Sequence, residues 1–182
     1  MVTTCTGTGA AQVCTTTADT FNAATSNGRT VQSTASTDQA AIAGKGQVAV
    51  TSGTQEKLGF IRPDGSGGQS VVPASDAQTS STSTADKASA TVPSDATAVI
   101  HGHIDSRSAG MVDEKSGKGD AQSLTLHHAM PNYTVSKGRV GVHELVGGRV
   151  QYRMVQGQMS PEETQGIQDN LNREQQYFQG NP

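Results

Sequence analysis

The pattern of apolar and polar residues predicts a chain of short strands with a few helices between them. The clearest strand is the apolar, β-branched run Thr97–Ile100, which continues into His101-Gly102-His103 and is typical of a buried strand. Turn signals such as Pro-Asp-Gly, Lys-Gly and Gly-Gly separate further β-rich runs and favour hairpins. These runs are Gln47–Thr51, Glu56–Arg62, Gln69–Pro73, Asn132–Ser136, Arg139–Val146 and Arg149–Val155.

The strongest helix signal lies near the end of the chain. Ser160 is a good cap, Pro161 suits the first helical position, and Glu163 stands three residues after the cap. Together they predict that a helix begins here. Ile167 and Leu171, continued by Phe178, give it one thin apolar stripe.

Two shorter helices are predicted earlier in the chain. One begins with Thr37 or Asp38 as its cap, and Gly44 and Gly46 are expected to stop it. The other covers Asp120–His128, with Asp120 in its first turn.

Two stretches offer little that a core could bury. Residues 1–34 are crowded with Thr, Ser, Ala, Asn and Gly, so we expect a disordered or extended N-terminal arm. From about 74 to 95 the composition is again Ser, Thr, Ala and Asp, and we expect a flexible surface insertion. Residues 35–182 are then predicted to form one α+β domain, α/β/α-like, in which helices flank a mixed β-sheet.

Composition limits both the core and the class of partner. Hydrophobic residues make up 32% of the 182 residues and aromatic residues 3%, below the usual share, so the core is expected to be small. A formal net charge of −3 provides no basic field for a phosphate backbone, which disfavours nucleic acid as a partner. No apolar run approaches the length that crosses a bilayer, so no membrane partner is expected.

The two cysteines, Cys5 and Cys14, lie close together in a Thr/Gly/Ala-rich segment without a nearby His. A local disulfide is one use for them in an oxidising compartment, and two free thiols are the other. Their spacing does not resemble a zinc knuckle.

His101 and His103 form the candidate chemical centre. Side chains two residues apart in a strand project to the same face, so both imidazoles can reach one ion. Gly102 leaves the opposite face open for close approach of another backbone segment. Neutral imidazole suits Zn²⁺, although histidines in such places are often simply buried with partners or exposed. The pair therefore needs further ligands to predict a metal site.

Further chemistry-bearing residues stand around this pair in a definite order. Glu56 opens the Gly-Phe-Ile strand, and Asp120 follows a Gly/Ser-rich loop after His103. The order resembles the JAMM (JAB/MPN-type) metallopeptidases, whose pattern is a Glu on an early strand, a His-x-His, and a Ser shortly before an Asp. The resemblance covers about Gln47 to Gln156. It is closest to the JAB-like domains at the carboxyl ends of Rhs-type and other polymorphic bacterial toxins, and it implies a JAMM/deaminase-like fold.

The resemblance implies a role for each matching residue. His101, His103 and Asp120 would hold Zn²⁺, a water would fill the fourth position, and Glu56 would take the proton of that water. Three protein ligands and one open position are the catalytic form of zinc, which lowers the pKa of bound water to roughly 7. Two other carboxylates compete with Asp120 as the third ligand: Asp105 and Asp113.

Two positions depart from the family pattern. Ile104 stands where the family usually has Pro, and Gly117 stands where it has the oxyanion-stabilising Ser. Ser116 is the nearest candidate for that serine, and Ser123 is the next.

The expected function is a zinc-dependent hydrolase of peptide or isopeptide bonds, acting on a protein or peptide substrate. By resemblance it would be a toxin or effector domain, secreted by a bacterium and delivered to a target cell, with an immunity protein as a candidate partner. A JAMM-like scaffold that only binds partners is an alternative, which the intact Glu, His, His, Asp set disfavours.

A second alternative is a metal-dependent nuclease. His127 and His128, followed by Ala-Met-Pro-Asn, resemble the His-containing finger of HNH-type nuclease toxins. The net charge disfavours this class, and a helix end with exposed imidazoles accounts for the pair. His143, in Val-Gly-Val-His-Glu, is expected at an outward strand position.

Overall fold

The computed structural model describes residues 2–6, 11–17, 30–50, 55–81, 86–103 and 129–178. The strands in these ranges are β1 (Val2–Thr6), β2 (Ala11–Thr17), β3 (Lys57–Pro63), β4 (Gln69–Pro73), β5 (Gln78–Ser81), β6 (Asp86–Ser89), β7 (Val92–Pro93), β8 (Ala98–Gly102), β9 (Asn132–Ser136), β10 (Arg139–Val146) and β11 (Arg149–Gln156). The helices are α1 (Ala35–Val48) and α2 (Pro161–Phe178).

Six of the described strands form the central sheet, in the order β11-β10-β9-β8-β3-β4. Strands β8 and β9 run parallel, whereas the other neighbouring pairs in this sheet are antiparallel. The sheet is therefore mixed, and together with helices α1 and α2 it confirms the expected α+β class. The β4, β9 and β10 bounds match those predicted from the sequence, and β11 is one residue longer.

Helix α1 covers one face of the sheet. Alternate residues of the strands point to it, because successive side chains of a strand project to opposite faces. Ala41 and Val48 of the helix are fully buried against them. The core on this face consists of Ala40, Ala41, Val48, Ile61, Val71, Ala98, Ile100, Tyr133, Val135, Val140 and Val142.

The predicted helix stop at Gly44 and Gly46 is wrong, and so is the predicted strand at Gln47–Thr51. Helix α1 continues through both glycines, and Gln47 lies in its last turn. Gly44 packs so closely on β4 that a Cβ there would lie 2.5 Å from the Cβ of Val71. Burial against the sheet therefore outweighs the helix-propensity cost of glycine, about 1 kcal/mol.

The start of α1 also differs from the prediction by a few residues. Thr34 is the cap and forms a capping box with Thr37, whose backbone N–H donates to the Thr34 hydroxyl at 3.2 Å. Thr37, expected as the cap itself, therefore lies inside the first turn.

A polar network anchors this end of α1 to the sheet. The Tyr133 hydroxyl donates to Asp38 at 2.7 Å, and burial raises the pKa of the phenol, which keeps it a donor. Arg153 of β11 pairs with Asp38 at 2.8 Å, and Glu144 of β10 accepts from the Ser33 hydroxyl at 2.6 Å. These contacts tie the helix to three neighbouring strands.

Helix α2 begins as predicted. The Ser160 hydroxyl accepts from the backbone N–H of Glu163 at 3.2 Å, and the Glu163 carboxylate accepts from the backbone N–H of Ser160 at 2.9 Å. Ile167 is buried, as its place on the apolar stripe requires. Leu171 packs against a small cluster formed by Val31, Leu145 and Val150.

The segments expected to be an arm and an insertion both contain strands. Strand β2 pairs with β1 and with β7, where Gln12 lies opposite Val92. Val31 is buried and exchanges two backbone hydrogen bonds with Leu145. Within the insertion, β5 and β6 form a hairpin. Its flexibility stays a prediction.

Candidate functional site

His101 and His103 lie at the end of β8, on the face of the sheet opposite α1. Both side chains are buried, with 7% and 6% of their surface exposed. Their Nε2 atoms are 3.0 Å apart and their ring centroids 4.9 Å apart. The strand thus brings the two imidazoles together, as the alternation of side chains predicts.

Gly102 lies between the two histidines and faces α1. A Cβ at this position would overlap the carbonyl oxygen of Val48, the last residue of the helix. The close backbone approach expected at Gly102 is therefore present. The end of α1 therefore packs on one face of the strand, and the imidazoles project from the opposite face.

Strand β9 fixes both histidines from the side. The Nδ1 atom of His101 lies 3.1 Å from the Oδ1 atom of Asn132. The backbone N–H of His103 donates to the carbonyl of Val135 at 2.9 Å. Side-chain and backbone contacts to one neighbouring strand thus set the position of the pair.

The two imidazoles have a spacing that suits a shared metal ion. Two nitrogen ligands of tetrahedral zinc, each at about 2.0–2.1 Å from the ion, lie about 3.3 Å apart. The 3.0 Å separation of the His101 and His103 Nε2 atoms is close to that value. Among the described residues, no group of three or more His, Cys, Asp or Glu side chains is placed to hold a metal. The described part of the site therefore supplies two donors.

Glu56 lies directly before β3, which is the other neighbour of β8. Lys57 pairs with Gly102 and Leu58 pairs with His101. If this register continued by one residue, Glu56 would lie opposite His103, so we expect its side chain on the face that carries both imidazoles. Glu56 is half-buried there, so the predicted base and the predicted ligands share one end of the sheet.

The other predicted site residues lie in one segment of the chain. Residues 104–128 are outside the described residues, and the helix predicted at Asp120–His128 falls there as well. The roles proposed for these residues stay predictions. They are Asp105, Asp113, Ser116, Asp120, Ser123, His127 and His128.

Sequence reasoning missed most of the surroundings of the histidine pair. The face opposite α1 carries a row of buried polar side chains on β9, namely Asn132, Thr134 and Ser136. Thr134 lies beside His101 in the strand register. Within the described part of the chain, its fully buried hydroxyl has no hydrogen-bond partner. The signal was the alternation of polar residues in Asn132–Ser136, but such a pattern usually indicates a solvent-facing side.

The expectation of an outward His143 is wrong. The side chain is fully buried on the same face as Asn132, which lies opposite it in β9. Its ring meets that of Tyr152 edge-on, with centroids 4.9 Å apart. Tyr152 fits there because Gly141 has no side chain, and a Cβ at Gly141 would overlap the tyrosine hydroxyl.

Comparison of the chain with protein-family models, curated proteins and solved structures finds no match. Neither helix of the described residues is long and apolar enough to span a membrane.

Proposed function

We propose that this protein is a zinc-dependent hydrolase of peptide or isopeptide bonds. The observation that carries the proposal is the 3.0 Å separation between the Nε2 atoms of two buried imidazoles on one strand face. Two nitrogen donors already held at this distance need little rearrangement to share an ion. The JAMM-like order of Glu56, His101, His103 and Asp120 supports the same conclusion.

Each residue has a distinct task in this proposal. His101 and His103 bind the metal, and Asp120 completes the protein ligands. When bound, Zn²⁺ supplies a Lewis acid that makes water nucleophilic near neutral pH. Glu56 accepts the proton of the attacking water and passes it to the leaving amine. Ser116 is proposed to stabilise the developing oxyanion.

The charge and setting of the site agree with a protein or peptide substrate. The net charge of −3 gives no attraction to a phosphate backbone. Glu56 is half-buried and both imidazoles are buried, so the proposed base is more exposed to solvent than the proposed ligands. The proposed context is a secreted bacterial effector with an immunity protein, which the resemblance to toxin-associated JAB-like domains supports.

The Glu56→Gln variant tests this division of tasks. It keeps the size of the side chain and removes the base, so hydrolysis should fall about 10²–10⁴-fold while zinc stays bound. Suitable probes are a pool of fluorescence-quenched peptides and a peptide joined through a lysine isopeptide bond. Glu162→Gln, on an exposed turn of α2, removes the same charge away from the site and should change neither quantity.

Three results would contradict the proposal. Full activity of Glu56→Gln would exclude it as the base. Loss of zinc in this variant would make Glu56 a ligand or a structural support. Failure of the zinc-loaded wild type to cleave either kind of bond would exclude the hydrolase.

A further inference from the structure

We propose that Asn132 is a positioning residue that fixes the tautomer of His101 and leaves its Nε2 atom as a preformed metal donor. This role rests on the proposed zinc site and adds to it a residue from a different strand. The observation that supports it is the 3.1 Å contact between His101 Nδ1 and Asn132 Oδ1.

The chemistry of the two groups sets the direction of this hydrogen bond. A carboxamide oxygen only accepts, so the hydrogen must lie on Nδ1 of His101. A neutral imidazole has one ring hydrogen, and its Nε2 atom then carries a lone pair. Because Asn132 and His101 are 6% and 7% exposed, water competes little for either group.

The same assignment decides the hydrogen between the two histidines. His101 Nε2 can only accept, so in the metal-free protein His103 Nε2 donates to it across 3.0 Å. His101 therefore has an unprotonated Nε2 atom before the metal binds, whereas the ring hydrogen of His103 must move from Nε2 to Nδ1 before that residue can bind the metal through Nε2. Asn132 thereby gives the two histidines different tautomers in the metal-free protein.

The strand positions explain why Asn132 can hold this orientation. It lies in β9 between two strands, opposite Val99 in β8 and opposite His143 in β10. A residue paired on both sides has little freedom to move away from His101. A metal-bound histidine commonly donates its second ring hydrogen to such an acceptor, and removal of the acceptor typically lowers metal affinity about 10–100-fold. Asparagine provides the acceptor without adding a charge to a buried site.

The direct test is ¹⁵N NMR of the metal-free protein with labelled histidine, at a pH where the imidazoles are neutral. We expect His101 to carry its hydrogen on Nδ1 and His103 on Nε2. Asn132→Ala should give a mixture of His101 tautomers, whereas Asn132→Asp, which keeps an acceptor, should restore the Nδ1 form. Thr134→Val is the matched control, because it alters the next buried polar residue on the same strand face and should leave the His101 tautomer unchanged.

Zinc affinity, measured by competition with a chelator, is the second readout. Asn132→Ala should bind Zn²⁺ about 10–100-fold more weakly than the wild type, and Asn132→Asp should recover most of the loss. The Nε2–H tautomer of His101 in the wild type would overturn the proposal, even if no variant folds. An unchanged tautomer and unchanged affinity in folded Asn132→Ala would overturn it too. If the tautomers are as expected but the wild type binds no zinc, the orienting role of Asn132 holds and the proposed function fails.

Discussion

The carbonyl oxygen of Val48, the last residue of α1, lies in the space where any other residue at position 102 would place its Cβ. Gly102 separates the two histidines, so the helix end and the imidazoles occupy opposite faces of the same short stretch of β8. The geometry of the proposed metal site thus depends on the contact between Val48 and Gly102 on the opposite face of β8.

The first prediction concerns this contact. Gly102→Ala should lower the free energy of unfolding by about 3 kcal/mol, because backbone atoms cannot rotate away as a side chain can. It should also weaken zinc binding by displacing both imidazoles. The control is Gly46→Ala in α1, where no atom lies near the added Cβ and helix propensity predicts a gain of about 0.5–1 kcal/mol. Urea unfolding measures both variants, and a Gly102→Ala protein as stable as the wild type would refute the argument.

The second prediction concerns acid stability. The Arg139 guanidinium donates to both oxygens of Glu163, at 2.7 and 2.8 Å, and with the backbone N–H of Ser160 it lowers the pKa of that carboxyl from 4.5 to about 2. Because folding lowers this pKa, the ionised group stabilises the protein above about pH 4.5. This stabilisation is lost as the pH falls from 4.5 to about 2.

Glu163→Gln tests that sign. It should cost about 1–2 kcal/mol of unfolding free energy above pH 5, and its difference from the wild type should shrink towards pH 2. Urea unfolding at several pH values measures this, with Glu162→Gln as a control that stays close to the wild type throughout. A difference that does not depend on pH would contradict the assignment of the pKa.

The third prediction concerns the insertion from Ala74 to Asp95. If it is flexible, trypsin should cut first after Lys87, the only basic residue of the segment. The β5–β6 hairpin is closed at its base where the Thr91 backbone N–H donates to Asp76 at 3.0 Å, so a short linker replacing the hairpin should leave the fold intact.

The deletion must stop before Val92, which is buried with Phe60, Val99 and Met130. A hairpin-deleted protein that fails to fold, together with resistance of Lys87 to trypsin, would show that the insertion packs on the domain.

The fourth prediction concerns the cysteines. Cys5 lies directly opposite Cys14 in the antiparallel pair β1–β2. The Cα atoms of two residues at such positions are about 4.5–5.5 Å apart, which is within the Cα–Cα range of a disulfide. With oxidised glutathione as the oxidant, we expect one intramolecular disulfide, seen as the loss of two hydrogens in the intact mass. Persistent reactivity of both thiols with iodoacetamide after this treatment would contradict the register.

Turn residues in the sequence correctly predicted the ends of the strands that are joined by tight turns. Lys137 and Gly138 have φ of 51° and 74°, and Gly147 and Gly148 have φ of 57° and 80°, the left-handed values that hairpin turns require. The turn residues therefore set the ends of β9, β10 and β11. No such local rule covers Gly44, whose place inside α1 depends on Val71 of a distant strand.

For the site, too, local sequence signals predicted some residues, and contacts between distant strands decided the others. Strand alternation alone places His101 and His103 on one face, and Gly102 indicates that another backbone segment lies close to the opposite face. Asn132 could not be found in this way, because a polar residue in alternation looks the same whether it faces solvent or a buried imidazole. Only the pairing of β8 with β9 brings it to His101.

The measurement that tests the central claim most directly is the zinc content of the purified protein by mass spectrometry. We predict about one zinc per chain in the wild type and none above background in the His101→Ala, His103→Ala double variant. Val99→Ala is the matched control, because it removes a buried side chain from the same face of β8 without removing a nitrogen donor, and it should keep its zinc. A double variant that retained one zinc per chain would contradict the account and would direct attention to His127 and His128.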